Sequence, residues 1–240
     1  MRIPAILLAL PLAACSAGDA QAGETVEARG RGPSRSYDAA GFTAVSLRGA
    51  DDVDVRVGPG FSVRAQGPED ELDRLEIARE GDALVVRRKP GGGWSWGKSE
   101  GVKVFVTMPG IAAATVAGSG DMAVDRVGGP RFKASVAGSG NLSLGDMRVE
   151  EAELSVAGSG DLTGAGRARR LRVNLAGSGD VDARQLAASE AAVSLAGSGD
   201  VRATVNGPAN VSLVGSGDME LGGNPRCTTS KRGSGDVRCG

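Results

Sequence analysis

Ala134-Ser135-Val136-Ala137-Gly138-Ser139-Gly140-Asn141-Leu142 is followed, 20 residues on, by Leu154-Ser155-Val156-Ala157-Gly158-Ser159-Gly160-Asp161-Leu162. The centre of both stretches, Gly-Ser-Gly-Asp or once Gly-Ser-Gly-Asn, occurs seven times in the 240-residue chain. It starts at Gly118, Gly138, Gly158, Gly177, Gly197, Gly215 and Gly233, at intervals of 20, 20, 19, 20, 18 and 18 residues. A near-constant period of that size marks a stacked repeat, in which each unit buries its apolar side against its neighbours.

Aligning the repeats on their first glycine exposes fixed columns. Two positions before it stand Val116, Val136, Val156, Leu175, Leu195 and Leu213, and four before it Ala114, Ala134, Leu154, Val173, Val193 and Val211. Between them runs a polar column, Thr115, Ser135, Ser155, Asn174, Ser194, Ser212 and Ser230. After the tetrad come Met122, Leu142, Leu162, Val181, Val201, Met219 and Val237. Alternation with period two is a half-buried strand. Each repeat therefore reads as strand, tetrad corner, strand and a more variable return path. An antiparallel meander could place Ser-Gly at hairpin turns, but it would pair each strand with a different segment. Like stacking on like favours an all-β parallel β-helix, with 18–20 residues per coil.

In that fold the two glycines of each tetrad permit a sharp bend where a Cβ would clash, and Ser and Asp satisfy nearby backbone N–H groups. The corner residues Asp121, Asp161, Asp180, Asp200, Asp218 and Asp236, with Asn141 inserted, would form one column. Stacked carboxylates repel and need hydrogen bonds, solvent or cations. One carboxylate per coil falls short of the six to eight oxygens calcium takes. Each Asp is expected to cap its own turn, with no metal and no cofactor.

The first 14 residues read as a leader: Arg2 is a short basic start, and Ile3 to Ala14 is apolar but too short to span a bilayer. Leu12-Ala13-Ala14-Cys15 resembles the bacterial lipobox, which implies cleavage before Cys15 and lipid on its thiol. The plainer reading is a secretory leader cut after a small residue; both export the chain. Ser16 rather than Asp after the cysteine implies, by the same resemblance, outer-membrane sorting in a Gram-negative cell. Residues 15–36 read as a flexible tether, 37–110 as an N-terminal β lobe and 111–240 as the repeat helix.

Within the lobe, Ser46 to Val55 aligns as a degenerate repeat with Gly49 at the corner. Phe61–Ala65, Leu84–Arg88 and Val102–Met108 read as strands, Pro68–Leu75 as one helical turn and Gly81-Asp82 as a hairpin. Both tryptophans, Trp94 and Trp96, fall in the glycine-rich stretch 91–99. They are candidate contacts for a sugar face or a protein partner, or a lid over the apolar end of the stack. At the far end Thr229 and Lys231 replace aliphatic residues, as a solenoid's terminal cap requires. Cys227 and Cys239 flank this last corner with inward parity; in an exported chain they are the natural disulfide pair.

Composition narrows the function. Lys and Arg number 28 against 29 Asp and Glu, which gives no electrostatic reason to expect nucleic acid. The absence of histidine removes the commonest general base and zinc ligand. Arg167, Arg169, Arg170 and Arg172 form the one dense basic cluster, read as a solvated strand face or an anion site. No nucleophile–base pair stands out. From Val102 onward, and more loosely from Phe42, the chain resembles the bacterial family of auto-transporter adhesin head GIN domains, whose mark is this repeated corner after short Val/Leu strands. The resemblance implies a right-handed parallel β-helix in an exported or envelope protein, and it carries no catalytic residues. The expectation is a lipid-anchored, non-catalytic module for adhesion or scaffolding, with envelope polysaccharide or protein as partner. The alternative is a polysaccharide-processing lyase or hydrolase on the same fold.

Overall fold

The computed structural model of the chain describes residues 23–89 and 101–240. Five short strands open the described chain: β1 (Glu24–Thr25), β2 (Ala28–Arg29), β3 (Ser34–Tyr37), β4 (Ala44–Gly49) and β5 (Asp52–Val57). β6 (Ser62–Gln66), helix α1 (Glu69–Arg74), β7 (Leu75–Glu80), β8 (Ala83–Arg88), β9 (Lys103–Met108) and β10 (Ala113–Gly118) follow. Four long strands then carry whole coils: β11 (Met122–Gly138), β12 (Leu142–Gly158), β13 (Leu162–Gly177) and β14 (Val181–Gly197). The rest is β15 (Val201–Val205), β16 (Pro208–Gly215), β17 (Met219–Gly223), β18 (Arg226–Gly233) and β19 (Val237–Cys239).

The alternation that predicts strands also sets the cross-section of the coil. In β12 the buried residues are Leu142, Leu144, Met147, Val149, Ala152, Leu154 and Val156. Twice the pattern skips a beat, at 145–146 and at 150–151, and each skip is a bend where two consecutive residues face outward. With the Gly-Ser-Gly-Asp corner these make three bends and three faces per turn. From β10 to the C-terminus every coil pairs with the next in parallel register, Gly118 on Gly138, Gly158, Gly177, Gly197, Gly215 and Gly233 in turn. The result is a β-solenoid of about six turns, a parallel β-helix as the columns require. Its core is a set of aliphatic ladders: Val116, Val136, Val156, Leu175, Leu195 and Leu213 are each no more than 2% exposed. Burying each contributes roughly 1.5–3 kcal/mol.

The uneven repeat length is absorbed at the second bend. Gly145 has no counterpart in the 19-residue coil, where Gly164 and Ala165 face Leu144 and Asp146. Between β14 and β15 the register jumps from Ala183/Ala203 to Ala187/Thr204, which shortens the coil.

The N-terminal region departs from the sequence reading in two ways. The tether expected over 15–36 overlaps ordered structure from Glu24. β1 pairs with β7, β2 with β3, and β3 with β6, all antiparallel, and Val26 N–H donates to the Ile77 carbonyl at 2.8 Å. Strands two residues long leave no period to detect, and their small polar composition reads as coil. The boundary expected at 110/111 is also not a break. The degenerate repeat aligned on Gly49 is a true coil, since Gly49 lies in register with Gly118 and Val53 with Met122. β4 is sandwiched between β8 and β10, and β5 between β9 and β11, all in parallel. The outermost coil, β8 plus β9, is thus later in sequence than the coil it covers. Beyond it, antiparallel β6 and β7 and the two-residue strands β1 and β2 close the sheet with short edges, a guard against edge pairing. The expected helical turn is α1, with Pro68 directly before its first residue, and the expected hairpin is the Glu80–Ala83 turn between β7 and β8.

Candidate binding surfaces

The tetrad corners are bound to one another rather than open. Gly138 has a φ of 126°, and a Cβ there would overlap the carbonyl of Gly118 one coil earlier. A Cβ on Gly140 would meet the Gly120 carbonyl in the same way. This close approach lets the Gly118 carbonyl accept both Ser139 N–H (2.9 Å) and Gly140 N–H (3.0 Å). Such paired N–H groups could cradle an anion, but here the preceding coil fills each cradle from Gly118 to Gly197.

The Asp column works between coils, not within them, which corrects the expectation that each Asp caps its own turn. Asn141 N–H donates to Oδ1 of Asp121 (2.9 Å), Asp161 N–H to Asn141 (3.1 Å) and Asp180 N–H to Asp161 (2.9 Å). The series continues through Asp200, Asp218 and Asp236 at 2.8–3.0 Å. Upstream, Asp121 N–H reaches Asp52 at 3.3 Å. The next residue of each coil returns the contact, as Leu142 N–H does to the Asp161 carbonyl (2.9 Å). A parallel step of about 4.8 Å leaves a short carboxylate closer to the following coil's N–H than to its own turn.

What remains free points outward. On the first face, β10 and the strands stacked on it, the Ser/Thr/Asn column lies beside a second column of small residues, Ala117, Ala137, Ala157, Ala176, Ala196 and Val214. Most of these are exposed. Charged columns run at one margin with alternating sign: Arg131, Glu151, Arg170 and Glu190, and beside them Lys133, Glu153 and Arg172. A shallow trough of about 660 Å³ crosses this face over Asn174, Ser194, Asn210 and Ser212. A larger one, about 1260 Å³, follows the second bend between Asp54/Arg56 and Asp182/Arg184, with Ser143 and Thr163 midway. There the Arg184 guanidinium and N–H hold the Asp182 carboxyl below its ordinary value, against the opposing effect of partial burial.

The model of one protein family, described as "Putative auto-transporter adhesin, head GIN domain", matches residues 41–225. The chain belongs to this family. Solved structures share the fold of this head GIN domain. A "putative adhesin" from Bacteroides fragilis superposes with a TM-score of 0.79 at 18% identity, over 85% of this chain and 95% of its own. A "putative lipid binding protein" from Parabacteroides distasonis gives 0.69 at 22% identity, over 88% and 97%. A "putative adhesin" from Parabacteroides merdae gives 0.60 at 17% identity, over 87% and 96%. No curated protein matches the chain.

The ends of this head GIN domain carry its least repetitive chemistry. In the last coil Cys227 is joined to Cys239, with Cα atoms 6.5 Å apart. They lie in register with buried Ala209 and Leu221, so the inward parity read from sequence is present although no further coil covers them. Lys231 and Thr229 stand exposed at the ends of apolar columns, and Lys231 Nζ lies 3.5 Å from Asp236, the last rung of the ladder. At the other end Asp51 occupies the position of a second corner glycine and is 1% exposed. It receives Arg88 at both oxygens, and its Oδ1 also accepts Val102 N–H at 3.2 Å. Arg88 reaches Glu71 as well, at 2.5 Å. Burial works against the Arg88 charge, but hydrogen bonds and attraction from Asp51 and Glu71 outweigh it and raise its pKa. Asp51 therefore ties together the two flanks of residues 90–100. An acid where the other corners carry Gly was the signal in the sequence. Cys15, Trp94 and Trp96 lie outside the described residues. Among the described residues no helix is long and apolar enough to cross a membrane.

Proposed function

We propose that this head GIN domain is a non-catalytic binding module of the bacterial cell envelope, held to a membrane by lipid on Cys15. One observation carries the binding reading: the corner glycines and Asp rungs are consumed by contacts between coils, so a regular outward lattice of hydroxyl, amide and small apolar groups is what the solenoid presents. Such a lattice suits a repeating partner, because its own repeat of about 4.8 Å per coil lets successive contacts add. The names borne by the family and by solved relatives, adhesin and lipid-binding protein, support a binding role. The leader and the Leu12-Ala13-Ala14-Cys15 sequence support export and anchoring.

The test pairs two assays on one preparation. A glycan array should register binding to envelope polysaccharide, and a reducing-sugar assay on the same polysaccharides should register no release. Sugar release would overturn the non-catalytic reading. Metabolic labelling with palmitate should tag the wild-type chain and not Cys15→Ser; label retained in that variant removes the anchor.

A further inference from the structure

We propose that Arg148 and Arg167 form a carboxylate-binding site for an acidic polysaccharide, read on the face between the second and third bends. The assignment rests on the binding-module reading and gives it a ligand class.

The argument starts from charge on neighbouring rungs, which stand about 4.8 Å apart. On the first face like charges are avoided. Arg131, Glu151, Arg170 and Glu190 alternate, and Arg131 meets Glu151 at 3.2 Å and Lys133 meets Glu153 at 3.1 Å. Among the described residues two places stack like charges and relieve them inside the chain. The Asp ladder does so with backbone N–H groups. Arg48 and Arg87, register partners on β4 and β8, do so with carboxylates: Glu80 bridges them, one oxygen to Arg48 (2.8 Å) and the other to Arg87 (2.5 Å), and Glu76 also takes Arg87 at 3.0 Å.

Arg148 and Arg167 are a third such pair, in register between β12 and β13. Asp146 holds Arg148 from one side, at 2.9 Å. Arg167 is exposed and has no carboxylate partner among the described residues; neighbouring Arg169 is taken by Glu150 (2.8 Å) and Glu190 (3.5 Å). Glu80 shows what fits between arginines on adjacent rungs: one carboxylate, an oxygen to each guanidinium. On this face that carboxylate must come from outside.

The surroundings favour a sugar chain as its carrier. Arg148 and Arg167 sit in a depression of about 520 Å³. Their column continues with Gly128 on one side and Ala187 on the other, so no side chain blocks the path along the stack. Ser189 and Asn206, which also line the depression, offer a hydroxyl and an amide. The floor is Val149, Ala168 and Ala188, too small and covered to seat the aromatic or aliphatic anchors that protein partners use. A polyuronate, with carboxylates on a hydroxylated chain, meets these conditions.

The experiment is calorimetric titration of the full chain with polygalacturonate at low salt, with dextran as neutral control. Polygalacturonate should bind and weaken as salt rises. Arg167→Gln should lose affinity on the order of tenfold, the effect of removing one charge-assisted pair. Asp146→Asn, which releases Arg148, should tighten binding. Arg167→Glu should abolish binding and yet raise the melting temperature, because it restores alternation beside Arg148. Absence of polygalacturonate binding, or equal binding by Arg167→Glu, overturns the site. If dextran or another neutral glycan then binds independently of Arg167, the binding-module reading survives without it. Arg167-dependent binding of polyglutamate or phosphatidylglycerol vesicles in preference to polygalacturonate would overturn the sugar class.

Discussion

Asp200 donates its backbone N–H to Oδ1 of Asp180, 2.8 Å away and one coil earlier. This contact recurs along the stack, and its worth can be measured at one rung. Asp180→Ala leaves the Asp200 N–H without its partner and should cost about 1–3 kcal/mol, as loss of a hydrogen bond to a charged acceptor does. Asp180→Asn should be close to neutral, because Asn141 already performs the same task for Asp161. Thermal unfolding followed by circular dichroism separates the two. Equal loss in both variants would mean that the charge, not the acceptor, matters.

The corner glycines differ from glycines elsewhere in what they permit. Gly158 has a φ of 129° and lies against the Gly138 carbonyl, whereas Gly128 has nothing within 4 Å of where a Cβ would stand. Gly158→Ala should therefore cost more than about 3 kcal/mol through strain and overlap together. Gly128→Ala should stay within about 0.5 kcal/mol, like most surface changes. Urea midpoints for the pair give the comparison.

Reduction of the Cys227–Cys239 bond should act locally. Opening a loop of 12 residues' separation removes about 3 kcal/mol on the chain-entropy account. In a stack held together by nearest neighbours that loss falls on the last coil. Hydrogen exchange should show amides of 219–240 losing protection under reductant while those of 134–175 keep theirs. Uniform loss would show that the stack unfolds as one unit.

Stability should decline in acid through a few identifiable carboxylates. The Arg87 guanidinium lowers the Glu76 pKa against the effect of burial, and Arg184 does the same for Asp182. A carboxyl whose pKa is lower in the folded state stabilises at pH values above its unfolded pKa, and the benefit disappears as pH falls through the folded value. The decline should therefore begin near pH 4.5 and continue below it, the starting point being the ordinary carboxylate value. Glu76→Gln and Asp182→Asn should each flatten the melting-temperature profile between pH 5 and 3, by roughly a degree or two for such solvent-screened pairs. A profile unchanged in both would assign the acid sensitivity elsewhere.

How far the sequence carries differs between the two halves. From Ala113 onward, repetition makes the register readable: once Gly118 and Gly138 are aligned, neighbouring columns follow, including those of Cys227 and Cys239. The upstream coil at Gly49 is also legible, because Ser46, Leu47, Val53 and Val55 keep the inward and outward order even where the tetrad has decayed. The order of the outermost coil is not. Nothing in Ala83–Arg88 says that it will lie on Ala44–Arg48 rather than beyond it, since one β-branched strand fits another equally well. Arg148 and Arg167 fall in different repeats and become neighbours only after the 19-residue coil is registered on the 20-residue one. The distinction between an Asp that caps its own turn and one that caps the next turn lies in the spacing of coils, which no residue letter records.

The position of β4 between β8 and β10 bears on the order in which the chain can assemble. A solenoid built strictly in sequence could add turns as it emerges from a ribosome or a translocation pore, each finished coil templating the next. Here the first coil gains β8 on one side once Arg88 has appeared, and its other side waits for β10 at Ala113–Gly118. Growth in chain order is therefore broken at the amino end: the second coil to emerge, β8 plus β9, lies outside the first, and the later coils are added on the opposite side.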